Sequence, residues 1–130
     1  MATFEDVQRM VQKLGLIPEN INEKEQMFTV TDMDRGINNL VIDLEDPILI
    51  LQQVVLPMTS CGYTGDFLYL LRMNMDLVHG AYAITENYAY VVWRDTLRLE
   101  HLDTNELEGS IKALELGLAE HANNLLTMGK

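Results

Sequence analysis

A chain of 130 residues, 48% apolar and 22% charged, has room for one domain, residues 1–130, with a sizeable core. Nine basic against twenty acidic residues leave a net charge of −11, a surface that repels phosphate backbones and anionic lipid heads, so nucleic acid and membrane surfaces are poor partners. Cys61 is alone, which rules out an intramolecular disulfide and suits a reducing cytoplasm; Glu5 and Asp6 near the start and the break of Pro47–Met58 by Gln52-Gln53 speak against a signal peptide and a membrane span.

The first predicted element is a helix from Thr3 to Leu14. Thr3 and Asp6 make a capping pair, Phe4, Val7, Met10, Val11 and Leu14 form one apolar stripe, and Gly15 and Pro18 end it. Three strands follow, over 26–31, 39–44 and 48–56, on their β-branched, aromatic and aliphatic content. The turn Asp32–Gly36 and the segment Glu45-Asp46-Pro47 separate them, so they read as an antiparallel meander. A loop is expected from Pro57 to Tyr63.

The stretch from Thr64 to Val92 is the most informative. Phe67, Leu70, Leu71, Asn74, Met75 and Val78 share one helical face, while Leu68, Tyr69, Met73 and Leu77 keep most of the remaining circumference apolar. A helix apolar on most sides needs cover on more than one side, from another element of the chain or from a second copy of it. The other two helices read as one-sided, which favours the second copy. Gly80 closes the helix; Ala81–Thr85 and Tyr88–Trp93 then form a hairpin around Glu86-Asn87. A last helix starts at the capping pair Asp103 and Glu106, with the stripe Leu107, Ile111, Leu114, Leu118, Ala122 and Leu125. Gly109 and Gly117 weaken it by about 1 kcal/mol each relative to alanine. The predicted fold is α+β in the order α-β-β-β-α-β-β-α, a twisted antiparallel five-stranded sheet flanked by helices.

Few residues combine into a chemical site. His79, His101 and His121 share no metal-ligand spacing and read as structural. Ser60 and Cys61 beside Gly62 lack a nucleophile-turn pattern, Asp32 and Asp34 lack the remaining ligands of a calcium loop, and no glycine loop is built to hold phosphate. The reading is therefore of a protein that is not an enzyme, with no catalytic residues, metal or cofactor. Methionine adapts to varied peptide surfaces, and Met10, Met27, Met33 and Met58 are the candidates for contact with a partner.

The chain resembles the secretion-chaperone-like superfamily, which joins the Tir-chaperone (CesT-like) type III secretion chaperones and YbjN-type relatives. The resemblance is carried by Leu70-Leu71-Arg72-Met73-Asn74, then Leu77 and Gly80, the strand Ala81-Tyr82-Ala83-Ile84, the segment Thr96-Leu97-Arg98-Leu99 and the acid-capped helix near Asp103. It implies a small, acidic, cytoplasmic bacterial homodimer. The middle helix and the strand after it would form the dimer contact, through Phe67, Leu68, Leu71, Met75, Leu77, Val78 and Tyr82. It also implies a non-catalytic function: type III chaperones hold an extended segment of a secreted effector over apolar patches of the first helix and sheet. The alternative function is a YbjN-like regulatory or small-molecule sensor domain acting as a dimer.

Overall fold

The computed structural model of the protein describes residues 1–62 and 64–128. Helix α1, Phe4–Lys13, opens on the expected capping box: Thr3 Oγ1 accepts from the Asp6 N–H at 3.1 Å and Asp6 Oδ2 accepts from the Thr3 N–H at 2.9 Å. Gly15, at φ +83°, turns the chain away from the helix end, in the left-handed region that glycine enters without steric penalty.

Six strands follow, not five. The additional one, β1 (Glu19–Asn22), is exposed at every residue and pairs irregularly with β2 (Met27–Asp32). It has no apolar alternation because neither of its faces is buried, so its strand character comes from pairing alone. β3 (Ile37–Glu45) and β4 (Ile48–Pro57) complete the meander, and the hairpin β5 (Ala81–Ile84) and β6 (Tyr90–Arg98) docks onto it through β4. The sheet is antiparallel throughout, in the order β1-β2-β3-β4-β6-β5. The hairpin loop is wider than the expected two residues. Tyr88 takes φ +59°, and Asn87 Oδ1 accepts from Thr85 Oγ1 at 2.7 Å and from the Ala89 N–H at 3.1 Å.

One face of the sheet carries the core. Val30, Leu40, Ile42, Leu49, Leu51, Val91 and Trp93 are buried there against Phe4, Val7 and Val11 of α1 and against the two later helices, α2 (Thr64–Met73) and α3 (Thr104–Met128). Gln53 is also buried, and it holds the start of β3, accepting from the Asn38 N–H at 3.0 Å and donating to the Gly36 carbonyl at 3.0 Å. Arg35 clamps the layers together: Nε and Nη2 donate to the two oxygens of Glu115 on α3, each at 3.0 Å, and Nη1 donates to the Leu14 carbonyl at the end of α1. On α3, Asp103 Oδ1 caps the Glu106 N–H at 2.8 Å as expected. The buried stripe differs in its last turns, where His121 lies inside and Ala122 faces water.

Helix α2 is shorter than its apolar pattern suggests. It ends at Met73, passes through a 3₁₀ turn, Asn74–Asp76, and continues extended from Leu77. The cause is Asn74, whose side chain reaches the backbone of β5 instead of lying along a helix: its Oδ1 accepts from the Tyr82 N–H at 2.6 Å and its Nδ2 donates to the Tyr82 carbonyl at 3.4 Å. Gly80 then brings the chain back at φ +77° directly over the Trp93 ring. The expected loop over 57–63 contains a 3₁₀ turn, Met58–Ser60; position 63 lies outside the described residues.

Candidate functional site

An apolar cleft of about 280 Å³ opens between α2 and the β5–β6 hairpin, lined by Phe67, Leu70, Leu71, Tyr82, Ala83, Ile84 and Val91. It exists because β5 is short and forms the sheet edge, so α2 overhangs it without a further strand to fill the gap. Among the described residues the lining is apolar apart from Tyr82, so burial of apolar surface is what the cleft offers a ligand.

Beside the cleft, α2 and the turn after it display four large aliphatic side chains to water: Leu68 at 63% exposure, Leu71 at 66%, Met75 at 81% and Val78 at 77%. Leu68 and Leu71 lie three residues apart on α2, Met75 lies in the 3₁₀ turn and Val78 in the extended segment after it, so four exposed apolar side chains fall within eleven residues of chain. Tyr69 is also exposed, while Leu70 and Met73 are buried in the core. The middle helix is therefore covered by its own chain on one side only.

The residues expected at a dimer contact divide accordingly. Leu68, Leu71, Met75 and Val78 lie open, and Phe67 is half-buried at the cleft. Leu77 is turned into the chain and packs over Gly117 of α3, and Tyr82 is buried, so these two are covered by the chain itself. Of the four methionines proposed for partner contact, Met10 and Met58 are half-buried against the core, Met27 is half-buried on β2 and Met33 is exposed in the 3₁₀ turn Met33–Arg35. None of them lines the cleft.

The sheet edges offer little for main-chain pairing. At Tyr82 the N–H and the carbonyl are both engaged by Asn74, so an added strand finds no free partner at that position of β5. The opposite edge, β1, is polar and irregular.

Behind the cleft lies a polar chain that spacing could not reveal. Tyr82 Oη and His121 Nδ1 are 2.6 Å apart, and His121 Nε2 is 3.0 Å from Asp76 Oδ2. Burial, then Glu120 and Asp76, hold the Tyr82 hydroxyl far above the ordinary phenol range, so it stays protonated. Burial, then Asp66, raises the Cys61 thiol, the opposite of what a nucleophilic cysteine requires.

The family model CesT_Tir_1 matches residues 1–130, the whole sequence. The chain belongs to the CesT_Tir_1 family. Its fold is shared with YbjN from E. coli, described as a putative transcription regulator, at a TM-score of 0.65, 13% identity, and coverage of 95% of this chain and 93% of that one. It is shared also with a chain of the HopA1–SchA chaperone–effector complex, at TM-score 0.62, 12% identity, and coverage of 89% and 91%. A chain of the ExsC–ExsE complex gives TM-score 0.62, 18% identity, and coverage of 94% and 92%. No curated protein sequence matches the chain. Family and folds together place this CesT_Tir_1 protein in the type III secretion chaperone-like superfamily, and the α+β antiparallel architecture is the one those structures share.

Proposed function

We propose that the protein is a non-catalytic, chaperone-like protein-binding module that works in the cytoplasm as a homodimer. The observation that carries this reading is the exposed row Leu68, Leu71, Met75 and Val78, continuous with the apolar cleft at Leu71. Four large apolar side chains facing water along one short stretch of chain are what a contact surface supplies and what an isolated soluble chain avoids. Such a row is self-complementary when two copies meet antiparallel across a two-fold axis, with Leu71 and Met75 nearest the centre. The cleft next to it takes apolar side chains of an extended partner segment. The charge of −11 steers toward basic segments and away from acidic ones.

A YbjN-like regulatory or sensor role is the second reading, supported by the likeness of fold to YbjN. A small-molecule sensor site combines enclosure with a few converging polar groups. The cleft is open and apolar in its lining, which favours a protein segment as its occupant.

The test is sedimentation velocity at about 10 μM, a concentration that populates any dimer of micromolar affinity, on the native chain and on Leu71→Asp. The expected result is a dimer for the native chain and a folded monomer for the variant. A native chain that sediments as a monomer, or a Leu71→Asp chain that remains fully dimeric, would overturn the pairing through this row.

A further inference from the structure

We propose that His121, Asp76 and Glu120 form a divalent transition-metal site that joins the turn after α2 to helix α3. His121 and Glu120 come from α3, and Asp76 comes from the 3₁₀ turn, Asn74–Asp76, brought there by the Asn74 clamp on β5. One ligand atom from each residue lies within 4.8 Å of the others, and the pair Asp76 Oδ2–His121 Nε2 is already at 3.0 Å. Zinc bonded at about 2.0–2.2 Å to tetrahedral ligands holds them about 3.3–3.6 Å apart, within reach of a small swing of the two carboxylates. Asp76 and Glu120 are exposed residues with room for that movement, while His121 is 2% exposed and fixed.

The surroundings of the imidazole fit a ligand role. Metal-binding histidines are oriented by a hydrogen bond to the ring nitrogen that does not bind, and here that partner is Tyr82 Oη, 2.6 Å from Nδ1. A hydroxyl both donates and accepts. In the structure Nδ1 lies 2.6 Å from Tyr82 Oη and Nε2 lies 3.0 Å from Asp76 Oδ2. With metal, the ring carries its proton on Nδ1, donates it to Tyr82 Oη, and presents the Nε2 lone pair. Tyr82 Oη can act as donor or acceptor toward Nδ1, so the hydroxyl accommodates the tautomer that frees Nε2 for a metal. One imidazole with two carboxylates suits zinc and its first-row neighbours better than magnesium or calcium, which prefer oxygen alone. The exposed carboxylate side leaves the fourth position to water.

Isothermal titration of the full chain with ZnCl₂ tests this, with MgCl₂ and CaCl₂ at matched ionic strength as controls for general attraction of cations to an acidic surface. The expected result is one zinc per chain, bound at least about 100-fold more tightly than either control ion. Glu120→Gln and Asp76→Asn, both at exposed residues, should each weaken zinc at least about 10-fold while leaving the far-ultraviolet circular dichroism unchanged. Tyr82→Phe, which removes only the orienting hydroxyl, should weaken it by about the same factor. Cobalt in place of zinc should give the visible absorption of a four-coordinate ion, lost in Glu120→Gln. No saturable binding at one equivalent, equal affinity for calcium and zinc, or zinc binding indifferent to both carboxylate substitutions would overturn the site.

Discussion

Replacing Gly80 with alanine measures how tightly the turn between α2 and β5 is built. Two effects add. Gly80 sits at φ +77°, where a side chain costs about 1–2 kcal/mol. A Cβ there would also lie 2.6 Å from Trp93 Cε2 and 2.7 Å from Cζ2 and Nε1. Trp93 is wholly buried at the centre of the core and cannot retreat, so overpacking adds about 1–3 kcal/mol. The sum is a loss of about 2–5 kcal/mol, a large part of the stability of a domain this size. Gly36→Ala is the control, since Gly36 has φ +75° with no atom within 4 Å of the added Cβ, leaving only the backbone effect of about 1–2 kcal/mol. Urea denaturation of both variants at one protein concentration reads the difference, concentration being held because a dimer's stability depends on it. Gly80→Ala should be the less stable by at least about 1 kcal/mol. Equal losses at the two positions would show that the Trp93 ring does not pack against Gly80 and would refute the account of this turn.

Asp43, on the face of β3 away from the helices, has Oδ1 buried with no hydrogen-bond partner among the described residues, and burial, then the Glu45 and Glu25 carboxylates, push its carboxyl up to about 6. Its folded value lies above its unfolded one, so the native state holds the extra proton between about pH 4 and 6 and loses stability as pH rises through that window. With allowance for screening at a partly wet site, Asp43→Asn should stabilise by about 1 kcal/mol at pH 8 and by nothing at pH 4, read from urea midpoints; a variant no more stable than the native chain at pH 8 would contradict this. On α3, Gly109 has open space around it and Gly117 lies under Leu77, whose Cδ2 would be 2.5 Å from an added Cβ. Gly109→Ala should therefore gain about 1 kcal/mol of helix propensity, while at Gly117 the displacement of Leu77 cancels the gain. Equal gains at both positions would mean that Leu77 does not rest on that helix.

Much of the fold was legible because its signals are local. The Thr3–Asp6 box, the Gly15 stop, the Asp103 cap and the aliphatic run of β4 each depend on a few neighbouring residues, and each is found where periodicity and capping chemistry put it. β1 carries no local signal, since its residues are exposed and its hydrogen bonds come from β2, a partner that composition does not name. Helix α2 stops short of its apolar pattern for a related reason: the pattern continues to Val78, but Asn74 leaves the helix to bind a strand eight residues further on. The cleft residues Phe67, Leu71 and Tyr82 were within the stretch singled out, whereas the division into exposed Leu68, Leu71, Met75 and Val78 and interior Leu77 and Tyr82 required knowing which way the turn after Met73 faces.

By itself the sequence determined the order of the elements other than β1, the core side of α1, the acidic surface and the excess of apolar side chains on the middle helix, since these follow from residue type and from periods of two and 3.6. Only the tertiary structure decided which of those apolar residues the chain keeps for itself, and only it brought His121 to Tyr82 and Asp76, 39 and 45 residues away in sequence. The physical reason is that burial and hydrogen bonding act through space: a residue's period says which face it shares, and the packing of distant elements says what that face meets.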